Sequence, residues 1–248
     1  MVAGCAAPPQ PTVEPTSNLS SVVIQRIRDI NSEYAKGACN LRIHETYVQG
    51  LTQAGVLDGL GYFETHVDRG DLELAAGARV WSRTRRQGEA LYEYSTTANQ
   101  WRAVSVIGGT SNQSPLTAAP GIDALQVRDV YGALLVGAAT GSGHVATVLS
   151  GTGAPQTKYV VTVPMTALAA IPNTSNQRSW EEYVQAGVST LEVTVSEPLN
   201  GDAIVSFDLP VLRGNTVRSE MVKIESACRW VSPRPTQSPL PSIVKSGA

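Results

Sequence analysis

The sequence predicts an α+β fold in which a curved antiparallel β-sheet of about ten strands, a half-barrel, wraps over a few α-helices. Three observations predict it. Segments in which apolar and polar residues alternate recur along most of the 248 residues. Turn-forming residues separate these segments, and only a few segments change to helical spacing. An antiparallel sheet with that many strands usually curls.

Strands are predicted where the alternation persists and a turn containing Gly, Asn or Asp follows it. In the first half of the chain they cover residues 39–49, 60–68, 71–76, 78–86, 90–95 and 100–106. In the second half they cover residues 144–150, 157–164, 190–195, 202–209 and 216–230. Asn200-Gly201 is a strong signal for a hairpin in this second group.

Helices are predicted where apolar residues recur every three or four positions. The first should begin at a cap provided by Ser17 or Asn18 and end near Gly37. The second, over 122–138, should present one apolar stripe. Two short helices follow, one near 165–171 and one that Ser179 opens as its N-cap, with two acidic residues in its first turn. The apolar positions of the first two helices are Val23, Ile27, Ile30 and Tyr34, and then Ile122, Leu125, Val127, Val130, Leu134 and Ala138.

The chain divides into a leader (1–16), one folded body (17–231) and a flexible Pro-rich tail (232–248). The leader contains Val-Ala-Gly before Cys5, the small-residue pattern that lipoprotein signal peptidase reads ahead of the cysteine that becomes lipidated. The basic and apolar segments of a signal peptide do not precede it. Either the signal has been trimmed, the start is assigned too late, or the match is accidental. The first two alternatives predict Cys5 as a lipid anchor and the prolines behind it as a tether.

The other two cysteines are candidates for a disulfide. Cys39 and Cys228 each share strand parity with apolar neighbours, so both should point to the apolar side of the sheet. If Cys5 is lipidated, an even number remains, which suits an oxidising compartment. The alternative is two buried free thiols.

Composition and motifs argue against several function classes. A net charge of −2 and 16% charged residues give no electrostatic case for nucleic acid. The sequence contains no nucleophile elbow, C-x-x-C pair or phosphate loop, so we expect neither an enzyme nor a cofactor. His44 and His66 with Glu45 or Glu64 are the one conceivable metal combination, and they lack the usual ligand spacing, so no metal is predicted.

Three stretches carry a resemblance to a known family. They are ARVWSRTRRQGEALYEYSTTANQWRAV (78–104), GTGAPQTKYVVTVPMTALAAI (151–171) and STLEVTVSEPLNGDAIVSFDLP (189–210). Their pattern, and the order of elements over roughly 17–231, resemble the LolA-like half-barrel, closest to the LppX/LprG-type lipoproteins of mycobacteria and their relatives. The resemblance implies a non-enzymatic carrier that holds lipid or glycolipid acyl chains between the curved sheet and its helices. It also implies an extracytoplasmic location, anchored at the outer face of the cytoplasmic membrane.

One strand parity should line the concave side of such a sheet. Helices 122–138 and 178–187 are the candidates for a gate over it. The alternative is that the same residues simply fill the core, in which case the protein is an envelope scaffold that docks another envelope protein. The presence of only two Phe against abundant Val, Ala and Leu favours the cavity. The predicted lining residues are Leu41, Ile43, Phe63, Val67, Tyr159, Val161, Leu191, Val193, Val195, Val205 and Phe207.

Overall fold

A computed structural model describes residues 21–88, 90–95, 98–104, 124–139, 143–149, 155–171, 177–197, 202–213 and 216–234. The predicted leader, Cys5, Ser17, Asn18, Ile122 and most of the predicted tail lie outside these residues. The elements are α1 (Ser21–Tyr34), β1 (Ala38–Gln49), β2 (Thr52–Glu64), β3 (Arg69–Ala76), β4 (Arg79–Gln87), β5 (Ala90–Ser95), β6 (Gln100–Val104), α2 (Ala124–Ala139), β7 (Gly143–Leu149), β8 (Pro155–Pro164), α3 (Met165–Ala169), α4 (Gln177–Gln185), β9 (Thr190–Ser196), β10 (Ile204–Arg213) and β11 (Thr216–Val231).

All the strands belong to one antiparallel sheet in the order β6-β5-β4-β3-β2-β1-β11-β10-β9-β8-β7. Each half of the chain forms its own meander, and β1 joins the two halves by pairing with β11 from Ala38↔Val231 to Gln49↔Glu220. Within the described residues β6 and β7 are edge strands that do not pair with each other, so the sheet stays open. The predicted α+β fold, a curved antiparallel half-barrel with a few helices, is confirmed.

Helix α2 lies on the inner face of the sheet and reaches from β2 and β3 to β8. At its C-terminal end Gly137 permits this contact. A Cβ atom there would lie 2.8 Å from Val161 Cγ1 and 2.9 Å from the Thr162 carbonyl oxygen. Helix α1 packs on α2, and its Tyr34 ring stands edge-on to Trp230 of β11 at 5.6 Å.

The burial of α2 differs from the sequence prediction. Instead of one apolar stripe, nearly every described side chain from Ala124 to Leu134 is buried, including Gln126, Arg128 and Asp129. The reason is that α2 packs against the sheet on one side and against α1 and α3 on others. A helix enclosed in this way loses the polar face from which a helical period is read.

Two predicted boundaries are wrong for identifiable reasons. Strand β2 begins at Thr52 and ends at Glu64, whereas the alternation placed a strand over 60–68. Its partner β1 begins at Ala38, opposite Glu64, and the backbone pairing ends one residue later, where the Thr65 N–H donates to the Gly37 carbonyl oxygen at 3.0 Å. Helix α4 begins at Gln177, two residues before Ser179, so Ser179 is not its N-cap and the helix has no acid in its first turn.

A disulfide between Cys39 and Cys228 ties the two halves of the sheet together, as the sequence predicts. The Cα atoms of these cysteines lie 5.4 Å apart. In the pairing of β1 with β11, Cys39 stands directly opposite Trp230, which is two residues beyond Cys228 along β11. Trp230 also stacks edge-on with Phe63 of β2 and Tyr131 of α2, at 5.9 and 5.8 Å between ring centroids. The bridge therefore sits beside an aromatic cluster that joins sheet and helices.

Replacing both bridge cysteines, as Cys39→Ala with Cys228→Ala, should lower the free energy of unfolding by about 2–5 kcal/mol. The bridge closes a loop with a sequence separation of 189 residues, so its loss frees the unfolded chain considerably. Urea unfolding with and without dithiothreitol measures this. The reductant should destabilise the wild type and leave the double variant unchanged. Equal sensitivity of both proteins would contradict the prediction.

Candidate functional site

The concave face of the sheet is the candidate site. The register places ten of the predicted lining residues on this face. Among them Tyr159 is partly buried and the others are fully buried within one core cluster. Those ten are Leu41, Ile43, Phe63, Tyr159, Val161, Leu191, Val193, Val195, Val205 and Phe207.

Val67 is the predicted lining residue that the structure places elsewhere. It lies in the turn between β2 and β3, and half of its side chain is exposed. The sequence analysis predicted that Val67 faces inward because it counted the alternation of side chains from Phe63 along a strand expected to continue to residue 68. The carbonyl oxygen of Val67 instead accepts a hydrogen bond from Arg128 Nη1 at 3.0 Å.

Arg128 and Asp129 of α2 form a buried polar cluster that sequence analysis did not identify. Arg128 donates from Nε and Nη2 to Asp129 Oδ1, at 3.1 and 3.0 Å, and its Nη2 is 2.9 Å from Asp68 Oδ1. The other oxygen of Asp129 accepts a 2.9 Å hydrogen bond from the indole nitrogen of Trp180 in α4. Both charges are almost wholly buried, and every contact among them is a charge-assisted hydrogen bond. The cluster therefore fixes α2 to the β2–β3 turn and to α4.

Glu45 is a second buried polar group, and it lies on the concave face itself. It stands in β1 opposite Leu57 of β2 and Ile224 of β11, with 4% of its surface exposed. Its Oε1 has no hydrogen-bond partner among the described residues. Burial raises the pKa of this carboxyl from about 4.5 to about 8, so it is largely protonated at pH 7. Strand parity with Leu41 and Ile43 was the signal that could have placed it inside.

His44 and His66 do not come together in a metal site. His44 lies on the convex face, where its Nδ1 is 2.7 Å from Asp58 Oδ1, and His66 is exposed in the β2–β3 turn. Glu45 points to the opposite face from His44, because successive side chains of a strand alternate. No group of three or more His, Cys, Asp or Glu in the described part of the chain is arranged to hold a metal ion.

The convex face carries a shallow polar pocket that includes Tyr62, Asp71 and four arginines, Arg69, Arg85, Arg86 and Arg234. Burial raises the pKa of Asp71, and Arg234, Arg85 and Arg69 counteract part of that rise. The guanidinium groups already have partners: Arg69 pairs with Glu64 at 3.0 Å, and Arg234 lies over the Tyr62 ring at 4.0 Å. The pocket thus holds the segment after β11 against β2.

Comparison with known proteins gives distant structural similarities and no residue roles. No family model and no curated protein matches the chain. Among solved structures, the Mycobacterium tuberculosis lipoprotein LppX is 13% identical, with 88% of this chain and 100% of that chain covered and a TM-score of 0.35. A LolA-superfamily protein from Nitrosomonas europaea is 9% identical, with 86% and 94% covered and a TM-score of 0.34.

Both proteins come from the group that the sequence resembles. At this level of similarity no binding residue is transferred from them to this chain. What the chain itself defines is an open half-barrel whose apolar concave face is covered by helices. Among the described residues, no helix is both long and apolar enough to cross a membrane.

Asp129→Asn should lower the free energy of unfolding by about 3–5 kcal/mol, because it removes the buried carboxylate that accepts two hydrogen bonds from Arg128 and leaves Asp68 as its one remaining ion-pair partner among the described contacts. Asp208→Asn is the matched control. Asp208 is half-exposed and lies 3.7 Å from Lys223, so this change should cost less than about 1 kcal/mol. Urea denaturation of the two variants measures the difference. Equal losses would mean that the buried cluster does not fix α2.

The stability of the protein should fall as pH rises from about 4.5 to about 8. In this window the unfolded chain has released the Glu45 proton and the folded chain still holds it, so folding binds a proton and is opposed by rising pH. The slope is at most about 1.4 kcal/mol per pH unit. Urea unfolding across pH 5 to 9 measures it, with Glu45→Gln removing the slope and Glu225→Gln, on the exposed face, retaining it. A slope that persists in Glu45→Gln would assign it to another group.

Proposed function

We propose that the protein is a non-enzymatic cell-envelope lipoprotein that binds a lipid or glycolipid on the concave face and carries or presents it. The observation that carries the proposal is the continuous apolar inner surface, which runs across the described strands from β8 through β11 and β1 to β2. Each acyl methylene buried against such a surface contributes about 0.8 kcal/mol, so one long chain supplies ample binding free energy without polar chemistry.

The proposed location rests on the disulfide and on Cys5. A bridge between Cys39 and Cys228 is typical of an oxidising compartment outside the cytoplasm. Cys5, in its small-residue pattern, is the proposed lipid anchor at the outer face of the cytoplasmic membrane. Residues 6–16 would then form the tether that gives the folded body its reach.

Helices α2 and α4 are the proposed gate over the concave face. Trp180 joins them through Asp129, so α4 cannot leave α2 without exposing a buried carboxylate. A ligand that enters between sheet and helices would therefore displace the pair together. Arg128 fixes the N-terminal end of α2 to the β2–β3 turn, so the two helices would rotate about that end when the gate opens.

A second candidate function is an envelope scaffold whose core is filled by its own side chains and whose surface docks another envelope protein. The close fit of α2 on β8 favours it. With Gly137 against Val161, that contact leaves no room even for a methyl group. The carrier requires this contact to open, and the scaffold requires it to stay closed.

Native mass spectrometry of the protein purified from its own envelope, followed by organic extraction, tests the proposal. A discrete lipid mass beyond any Cys5 anchor is the expected result. Val195→Phe, which adds bulk to the concave face, should lower the bound lipid. Thr194→Phe, at the adjacent position on the opposite face, should not. Bare or merely acylated wild-type protein would favour the scaffold.

A further inference from the structure

We propose that Glu45 is the polar contact of the concave face and that its carboxyl group hydrogen-bonds an uncharged hydroxyl or carbonyl group of the bound lipid. This inference rests on the proposed function and adds to it. It assigns the class of ligand group that the apolar surface recognises, and the place in the sheet where that group would lie.

The first support is the row of side chains to which Glu45 belongs. Antiparallel pairing aligns one inward residue from each of six neighbouring strands, and the other five of them are apolar and buried. The row runs from β8 to β2 through Val161, Val193, Phe207, Ile224, Glu45 and Leu57. A leucine would complete this row without any polar group to satisfy, so a carboxyl here is not explained by packing.

The second support is the missing partner. Glu45 Oε1 is buried with no hydrogen-bond partner among the described residues, although buried polar groups in proteins nearly always have one. Glu220 is an acid on the same face of β11. It stands opposite Gln49, and the pair Tyr47↔Val222 lies between it and Glu45. An unpaired carboxyl in an apolar surface is a site that a ligand group can complete.

The protonation state selects the chemistry of that group. Burial keeps the carboxyl neutral near pH 7, and a neutral carboxyl has one O–H to donate and oxygens that accept. It therefore suits a hydroxyl, an ester or an amide of a lipid. It does not suit a cation, because no carboxylate charge is present to balance one.

Of the three consecutive polar residues His44, Glu45 and Thr46, Glu45 is the one that points to the concave face. His44 and Thr46 point to the convex face, where His44 pairs with Asp58. Glu225 stands opposite His44 on that exposed face, one residue from Ile224 in β11. It therefore provides a matched control for any substitution made at Glu45.

The test uses the full chain at pH 6 and displacement of N-phenyl-1-naphthylamine by 1-decanol or 1-chlorodecane, which share a chain and differ by the hydroxyl. The ratio of the dissociation constant of chlorodecane to that of decanol should be about 2- to 12-fold larger in wild type and Glu225→Leu than in Glu45→Leu, the effect of one neutral hydrogen bond. Glu45→Leu should favour chlorodecane, because it leaves the decanol hydroxyl buried without a partner. Glu45→Gln, whose amide also donates and accepts, should retain the larger ratio.

The outcomes separate the two proposals. An equal ratio of the two dissociation constants in wild type and Glu45→Leu would overturn the role of Glu45 while leaving lipid binding intact. If neither decyl compound binds wild type, the proposed function and this inference are both overturned. Should Glu45→Leu not fold, Glu45→Met supplies the same comparison, because its side chain is similar in length and carries no hydroxyl or amide group.

Discussion

The pairing of β1 with β11 is the constraint on which the rest of the structure depends. Each half of the chain forms a meander of neighbouring strands, in which α3 and α4 lie in the connection between β8 and β9. The halves become one sheet because the first strand pairs with the last along its whole length, from Ala38 to Gln49. Among the pairs of described strands, this one has the largest sequence separation and therefore the largest loop-closure cost. The bridge from Cys39 to Cys228 lies on this seam, where a crosslink constrains the unfolded chain most.

The same seam defines the concave face. Because side chains alternate, the register that places Leu41 opposite Cys228 also places Ile43 opposite Ser226 and Glu45 opposite Ile224, all on one side. A slip of one residue would send every one of them outward. Helix α2 crosses this face, and the Tyr131 hydroxyl donates to the Ser226 carbonyl oxygen at 3.2 Å, so the helix is positioned directly over the seam. Sheet pairing and helix docking thus depend on the same strands.

Much of this architecture could be predicted from the sequence, because period-two alternation survives wherever one face of a strand is buried. The half-barrel, the order of its elements and the disulfide follow from it. The first part of β2 escaped prediction because glycines interrupt its pattern. Gly59 has no room for a side chain, since a Cβ atom would lie 2.5 Å from Ile43 Cγ2. Val67 was misplaced because the end of a strand depends on where its partner begins, which no local pattern records. The cluster of Arg128, Asp129 and Trp180 joins residues far apart in sequence, so it required the tertiary structure.

The two buried polar sites follow opposite rules, and the contrast separates structure from function. Asp129 uses both carboxylate oxygens, one on Arg128 and one on Trp180, so its burial is compensated within the protein. Glu45 is buried as deeply, yet one of its oxygens lacks any partner among the described residues, and burial raises its pKa instead. A compensated group stabilises one arrangement of helices and sheet. An uncompensated neutral carboxyl within an apolar row stabilises nothing by itself, and gains free energy only when another molecule supplies the missing hydrogen bond.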